Sequence, residues 1–124
     1  MLFNRDPSEA YRRVEFDARV KGATSRQLVD LCLEQVAGSV GRAIHAAQNG
    51  DNGAKSRALT RAVSALTALQ MGVDANAPTG AALIQLYQSA RNTILDSVLN
   101  FDPVSLAQIR EDFVEIRTAL LAAG

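Results

Sequence analysis

The chain has 124 residues, a length that suits one compact domain rather than two. Thirteen lysines and arginines balance thirteen aspartates and glutamates, so no basic excess favours nucleic acid or an anionic membrane surface as a partner. At 48% hydrophobic residues the chain is too apolar to be disordered, yet no apolar run approaches the roughly 18 residues that a membrane-spanning helix needs.

The composition and the turn signals predict an all-α protein. Three prolines and 5% aromatic residues are few, and no stretch alternates polar and apolar side chains as a strand would. The lead segment contains Asp6, which can cap a helix, and Pro7, which suits the first helical position. We therefore expect a short helix around residues 7 to 18.

Four longer helices are predicted after this segment. Thr24 and Gln27 have capping-box spacing and begin the first, near residues 25 to 49. The others are expected near 52 to 73, 80 to 100 and 103 to 122. Each carries apolar side chains at steps of three and four, which we expect to be buried together. These stripes are Val29, Leu33, Val36, Val40 and Ala43; Leu59, Ala62, Leu66, Leu69 and Val73; Leu83, Leu86, Ala90, Ile94 and Phe101; and Leu106, Ile109, Phe113, Ile116 and Leu120.

Short connections between helices of about twenty residues favour an antiparallel up-and-down four-helix bundle with a short extra N-terminal helix. We expect a single domain over residues 1–124, in which residues 1–23 form an N-terminal cap segment and residues 24–124 form the bundle. Further apolar residues flank the stripes, and such surplus predicts an oligomer interface or a groove for a partner. They are Leu28, Leu31 and Cys32 on the first helix and Ile84, Tyr87, Leu95 and Val98 on the third.

The residues that could support catalysis or metal binding are few and far apart. A single cysteine, Cys32, excludes a multi-cysteine zinc or iron–sulfur site, and His45 is the only histidine. The two lie on one predicted helix, roughly 20 Å apart at 1.5 Å per residue, which is too far for proton transfer. We therefore predict no enzyme activity, no cofactor and no metal site, with Cys32 as a small buried hydrophobe.

His45 also invites comparison with histidine phosphotransfer domains, which carry one exposed histidine on a bundle helix. The residues after it, Ala-Ala-Gln-Asn-Gly, lack the lysine that serves the phosphoryl group in such domains. A surface histidine near a helix C-terminus is the favoured interpretation. The lone Cys32 and an N-terminus without a signal-peptide core predict a cytoplasmic location.

Gly38 and Gly41 interrupt the first helix, where each glycine costs about 1 kcal/mol relative to alanine. A close approach of another helix would compensate for this cost. The approaching helix either belongs to the bundle itself or comes from a partner lying in the notch, and the sequence leaves both interpretations open.

Several short patterns, taken in order, resemble the flagellar secretion chaperones of the FliS type over nearly the whole chain. The residues that carry the resemblance are Ala10-Tyr11 and Val14; Ala23-Thr24-Ser25 leading into Gln27-Leu28-Val29; Asp51 and Lys55; Leu59 and Ala62; Leu69 and Val73-Asp74; Leu83 and Leu86-Tyr87; and Ile116-Arg117-Thr118-Ala119-Leu120. Ser25 stands where the family usually has proline, and Leu120 where it usually has tryptophan. These departures mark a divergent member.

The resemblance implies a cytoplasmic export chaperone that binds the disordered C-terminal segment of flagellin. It would prevent premature polymerisation and deliver flagellin to a component of the flagellar type III export gate, without any cofactor. A disordered client can anchor amphipathic helices in apolar grooves, which agrees with the surplus apolar surface. The alternative is a non-catalytic helical bundle that self-associates, for example as a homodimer, or acts as a regulator. Neither nucleic acid nor membrane insertion is expected.

The lead segment supplies the first set of predicted partner-binding residues, Tyr11, Val14 and Phe16. A four-helix core does not require these side chains, so we expect the segment to cap the client groove and to be displaced by the client. The resemblance supports this role for Tyr11 in particular. Alternatively, the three side chains complete the core beside the first and fourth helices.

The third helix supplies the second set, Ile84, Tyr87 and Leu95. They lie beside the apolar stripe of that helix rather than in it. We therefore expect them in the wall of the client groove.

Overall fold

The computed structural model describes residues 12–13, 16–17 and 19–123, and over these residues it is helical without strands. Four long helices follow one another along the chain: α1 (Ser25–Gln48), α2 (Asn52–Met71), α3 (Gly80–Leu99) and α4 (Pro103–Ala122). The described residues from 12 to 21 are also helical and are called the N-terminal segment below. The predicted all-α fold and the order of its helices are confirmed.

The start of α1 has the capping box that the sequence predicts. The Thr24 hydroxyl accepts a hydrogen bond from the backbone N–H of Gln27 at 3.2 Å, and the Gln27 side-chain oxygen accepts one from the backbone N–H of Thr24 at 2.9 Å. After α1 the chain reverses at Gly50, whose φ of +70° is a conformation that glycine adopts without strain. These local signals fix both ends of the longest helix.

Aspartates cap α2 and α4. Asp51 accepts a hydrogen bond from the backbone N–H of Ala54 at 3.0 Å, and Asp102 accepts one from the backbone N–H of Ser105 at 3.1 Å. Pro103 occupies the start of α4, where a missing N–H costs nothing. The predicted cap-plus-proline start of α4 is confirmed.

The connection between α2 and α3 is folded tightly against the start of α3. The backbone N–H of Gly80 donates to the carbonyl of Ala77 at 2.9 Å, and that of Ala77 donates to the carbonyl of Asp74 at 3.0 Å. A Cβ atom on residue 80 would overlap the Asp74 carbonyl oxygen. Glycine is therefore required at this position by close approach of the backbone.

The core lies between the four helices and contains most of the predicted stripe residues. Its largest fully buried apolar side chains are Phe113, Leu33, Leu59, Leu66, Ile94 and Leu106. One predicted core residue is wrong, because Val29 is 37% exposed. Tyr87 and Leu31, expected to flank the stripes, are buried instead, at 4% and 7% exposure.

The helices do not pack equally against one another. α1 packs against α2 and α4, α2 packs against α3, and α3 and α4 touch only sparsely. Large apolar side chains stay exposed near the α3–α4 connection, namely Leu95, Val98, Leu99 and Val104. Of the helices described, none combines the length and the apolar character that crossing a bilayer requires.

Candidate functional site

A groove of about 630 Å³ lies between the N-terminal segment, α1 and α2. Apolar side chains form its floor and polar side chains line its edge. The floor residues are Leu28, Val29 and Cys32 from α1 and Ala65, Ala68 and Leu69 from α2. The edge residues are Ser25, Gln35, Thr60, Arg61 and Ser64.

The helical repeat explains why these residues share one surface. Side chains three and four positions apart lie on the same face of a helix, so Leu28 and Cys32 meet on α1, and Ala65, Ala68 and Leu69 meet on α2. The alanine side chains end at Cβ, which leaves the space open between the two helices. Val29 is exposed because it faces this groove rather than the core.

The N-terminal segment forms the roof of the groove. Its Phe16 and Val20 side chains are half-buried and line the space, but neither belongs to the hydrophobic core. Arg19 connects the segment to α1, with Nη1 lying 3.1 Å from Oε1 of Glu34. The other two residues predicted for this segment, Tyr11 and Val14, lie outside the described residues.

At one edge of the groove Gln35 of α1 faces Arg61 of α2. With the amide oxygen of Gln35 turned toward the guanidinium, it accepts hydrogen bonds from Nε at 2.7 Å and Nη2 at 3.1 Å. This polar contact joins the two helices beside the apolar floor. The sequence did not predict that α2 contributes to a groove. The signal in the sequence is that small residues lie beside the predicted apolar stripe of α2.

Cys32 lies in the floor close to Tyr87, which approaches from α3. Burial raises the pKa of the Cys32 thiol above its ordinary value. Burial likewise raises the pKa of Tyr87, and the neighbouring Cys32 raises it further. The thiol is therefore held in its protonated form, which is a poor nucleophile. This environment suits the interpretation of Cys32 as a small hydrophobe.

The predicted residues of α3 lie in three different environments, and none of them lines the groove. Tyr87 is in the core, with its ring centroid 6.1 Å from that of Phe113. Ile84 is half-buried and Leu95 is 41% exposed. Of the six predicted partner-binding residues, Phe16 is the one that the described part of the groove contains. The roles of the other residues in partner binding stay predictions.

The burial of Tyr87 follows from the face that α3 turns inward. Its buried positions include Tyr87, Ala90, Ile94 and Ser97, at steps of three, four and three. Leu86, predicted for the stripe, is only half-buried. Both neighbours are apolar, so hydrophobic periodicity alone does not distinguish an inward Tyr87 from an inward Leu86.

In the part of the chain that the structure describes, the side chains that could bind a metal ion lie apart from one another. Over residues 12–13, 16–17 and 19–123, no three His, Cys, Asp or Glu side chains are grouped closely enough to hold a metal ion. His45 is exposed, and its Nε2 lies 3.0 Å from Nδ2 of Asn49 at the end of α1. What the groove offers is an apolar floor with a polar edge, the combination that receives an amphipathic helix.

Comparison with known protein families gives one match of nearly full length. The model of the family described as FliS, flagellar protein FliS, matches residues 7–123. The match therefore includes all four long helices and the N-terminal segment. No curated protein matches the chain significantly.

Proposed function

The chain belongs to the FliS family of flagellar proteins, and from this membership we propose that it is a cytoplasmic export chaperone for flagellin. It binds the disordered C-terminal segment of flagellin in a stoichiometric complex, without catalysis. Binding prevents premature polymerisation, and the complex is delivered to a component of the flagellar type III export gate. The observation that best supports the proposal is the apolar groove between α1 and α2 beneath the N-terminal segment.

The dimensions of the groove suit a helix of the client. Along α2 it extends from Thr60 to Gly72, which is about 18 Å at 1.5 Å per residue. A client helix of three turns would place apolar side chains at positions i, i+4 and i+7 on the floor. A disordered segment that folds in this way buries apolar surface that neither partner buries alone.

The N-terminal segment is a roof that the client displaces. Phe16 and Val20 cover part of the floor, so an uncovered groove would expose apolar side chains to water. The described side chains of the segment are at most half-buried, and its ion pair with α1 is exposed to water, which favours its displacement by a client. A client helix that covers the whole floor buries more apolar area than the segment does.

Calorimetry with a peptide of the flagellin C-terminal segment tests the proposal most directly. Tight binding with a large negative heat-capacity change is expected, because apolar surface is buried as the peptide becomes ordered. Absence of binding to flagellin from the same cell, together with tight self-association, would instead favour a self-associating bundle.

The single cysteine provides an independent measurement of groove occupancy. Cys32 lies in the floor, so a bound client should slow its alkylation. The matched control carries Ala107→Cys in a Cys32→Ser background, because Ala107 is exposed on α4 and does not line the groove. Client binding should leave the alkylation rate of that control unchanged. Equal slowing in both proteins would argue against the groove as the client site.

A further inference from the structure

A second opening lies on the other side of α1, between α1 and α4. Its volume is about 210 Å³. Gly38, Val114 and Leu121 form its apolar part, and Glu34, Arg110 and Arg117 lie around it. It has no lining residue in common with the groove beneath the N-terminal segment, although Glu34 of its lining pairs with Arg19 of that segment.

Gly38 lies in the lining of this cleft and has no side chain to fill it. A Cβ at residue 38 would find its three nearest neighbours in the Arg42 side chain of the same helix, the nearest being Nη1 at 3.3 Å. At Gly41, in contrast, a Cβ would lie 3.2 Å from Nε of Arg110, which crosses from α4. Close packing of α4 thus explains Gly41, whereas no other helix of the described residues approaches Gly38, whose neighbour is the end of the flexible Arg42 side chain.

The α4 side of the cleft is apolar and accessible. Val114 is 45% exposed and Leu121 is 58% exposed. They are seven residues apart, so they lie on one face of α4 with about two helical turns between them. Apolar side chains at this spacing are typical of the contact between two amphipathic helices.

The charges around the cleft specify the partner further. Arg117 is held by Asp30, with Nε 2.6 Å from Oδ1, and by Glu34, with Nη2 3.0 Å from Oε2. Arg110 is exposed, and no carboxylate of the described residues pairs with it. Its planar guanidinium at the edge of an apolar cleft is therefore available to a carboxylate from outside, which it can bind through two hydrogen bonds.

The volume of the cleft indicates how much of the partner enters it. At about 210 Å³ it is smaller than the roughly 300–1,000 Å³ of small-molecule pockets. It is suited to one large apolar side chain carried on a helix that lies across the surface. An aspartate or glutamate on the same helix can then pair with the adjacent Arg110.

We propose that the cleft between α1 and α4 is a second protein-docking surface, which receives an acidic amphipathic helix of a partner protein. The partner places a large apolar side chain over Gly38, between Val114 and Leu121, and a carboxylate on Arg110. The partner and the occupant of the first groove bind simultaneously. The inference depends on the cleft alone and goes beyond the proposed chaperone function.

Selection from a displayed library of helical peptides on the full-length chain tests this assignment. Three variants separate the two openings. Gly38→Leu fills the cleft, Arg110→Glu reverses its charge on an exposed side chain, and Ala68→Leu fills the first groove as the matched control. Thermal melting of each variant verifies that it is folded.

The expected peptides share an acidic residue next to a large apolar one. They should bind Ala68→Leu as tightly as the unmodified chain and lose about tenfold or more in affinity for both Gly38→Leu and Arg110→Glu, since a charge-assisted hydrogen bond is broken in the latter. Peptides that bind Ala68→Leu as tightly as the unmodified chain, but lack an acidic residue or keep their affinity for Gly38→Leu, would overturn the proposal. A dimer of the unmodified chain that Arg110→Glu dissociates would also overturn it, by assigning the cleft to a second copy.

Discussion

The guanidinium of Arg19 lies against the carboxylate of Glu34, with Nη1 3.1 Å from Oε1 and Nη2 3.4 Å from Oε2. This pair joins the N-terminal segment to α1. The two side chains are 44% and 39% exposed, so water screens their attraction and the pair stabilises the contact by only about 0.2–1 kcal/mol. The ion pair by itself therefore holds the segment on α1 only weakly.

Replacement of Arg19 should loosen the roof of the groove without unfolding the bundle. For Arg19→Ala we expect little change in the melting temperature and client binding that is equal to, or up to about fivefold tighter than, that of the unmodified chain. Lys21→Ala is the matched control, because it removes the same charge from an exposed residue of the same segment that does not line the groove. Calorimetry of both variants provides the comparison. Weaker client binding in Arg19→Ala alone would show that Arg19 contacts the client.

A methyl group at residue 80 should destabilise the fold. The added Cβ of Gly80→Ala would overlap the Asp74 carbonyl oxygen, so the backbone must move, at a cost of about 1–3 kcal/mol in the free energy of unfolding. Gly53→Ala is the control at the start of α2. Its Cβ would contact only side-chain atoms and no backbone atom. Because alanine favours helix more than glycine does, this variant should be as stable as the unmodified chain or up to about 1 kcal/mol more stable. Urea denaturation measures both.

The N-cap of α4 should make stability depend on pH. Hydrogen bonds from the Ser105 hydroxyl and then from its backbone N–H hold the pKa of Asp102 below its ordinary value. As the pH falls, the Asp102 carboxylate is therefore protonated in the unfolded chain before it is protonated in the folded one. Its stabilisation of the fold is complete above the ordinary pKa of the carboxyl group and is lost as the pH falls below that value. Asp102→Asn keeps a capping side chain but does not titrate. The stability difference between the two proteins should shrink between about pH 5 and pH 2 in urea titrations. A constant difference would contradict this account.

The extent to which sequence predicted the structure depends on how local each signal is. The cap at Thr24 and the start of α4 at Pro103 depend on residues within one helical turn, and both were predicted correctly. The groove depends on which residues of α1 and α2 face each other across space, and the apolar period assigned Val29 to the core because it cannot distinguish a groove from a core. For the same reason the apolar period left Tyr87 outside the predicted stripe of α3, although its side chain is buried.

Two predicted partner-binding residues of α3 should differ sharply in their effect on stability. Tyr87 is 4% exposed and packs near Phe113, so Tyr87→Ala should cost about 3–5 kcal/mol in the free energy of unfolding. Leu95 is 41% exposed, so Leu95→Ala should cost less than about 1 kcal/mol. Denaturant unfolding tests the contrast. Reduced client affinity in a stable Leu95→Ala protein would support a partner-binding role for Leu95. Comparable destabilisation by both variants would contradict the burial of Tyr87 and the exposure of Leu95.

Removal of residues 1–18 separates the two interpretations of the N-terminal segment. This deletion takes away Phe16, which lines the groove, and leaves all four helices of the core intact. If the segment is a displaceable roof, the truncated protein should keep its helix content, melt near the temperature of the intact chain and bind the client equally well or more tightly, because competition for the floor is removed. Alkylation of Cys32 should become faster at the same time, since the floor is uncovered.

The alternative interpretation, in which these side chains complete the core, predicts a different outcome. Loss of several buried apolar side chains together would cost a few kcal/mol and lower the melting temperature strongly. Circular dichroism and calorimetry of the truncated chain distinguish the two, and Cys32→Ser in the same background verifies that the alkylation signal comes from the groove. A truncated protein that is folded but no longer binds the client would show that the segment contributes to binding instead of competing with it. We expect retained stability, because Phe16, the described apolar side chain that this deletion removes, is half-buried over an open space and does not pack into the core.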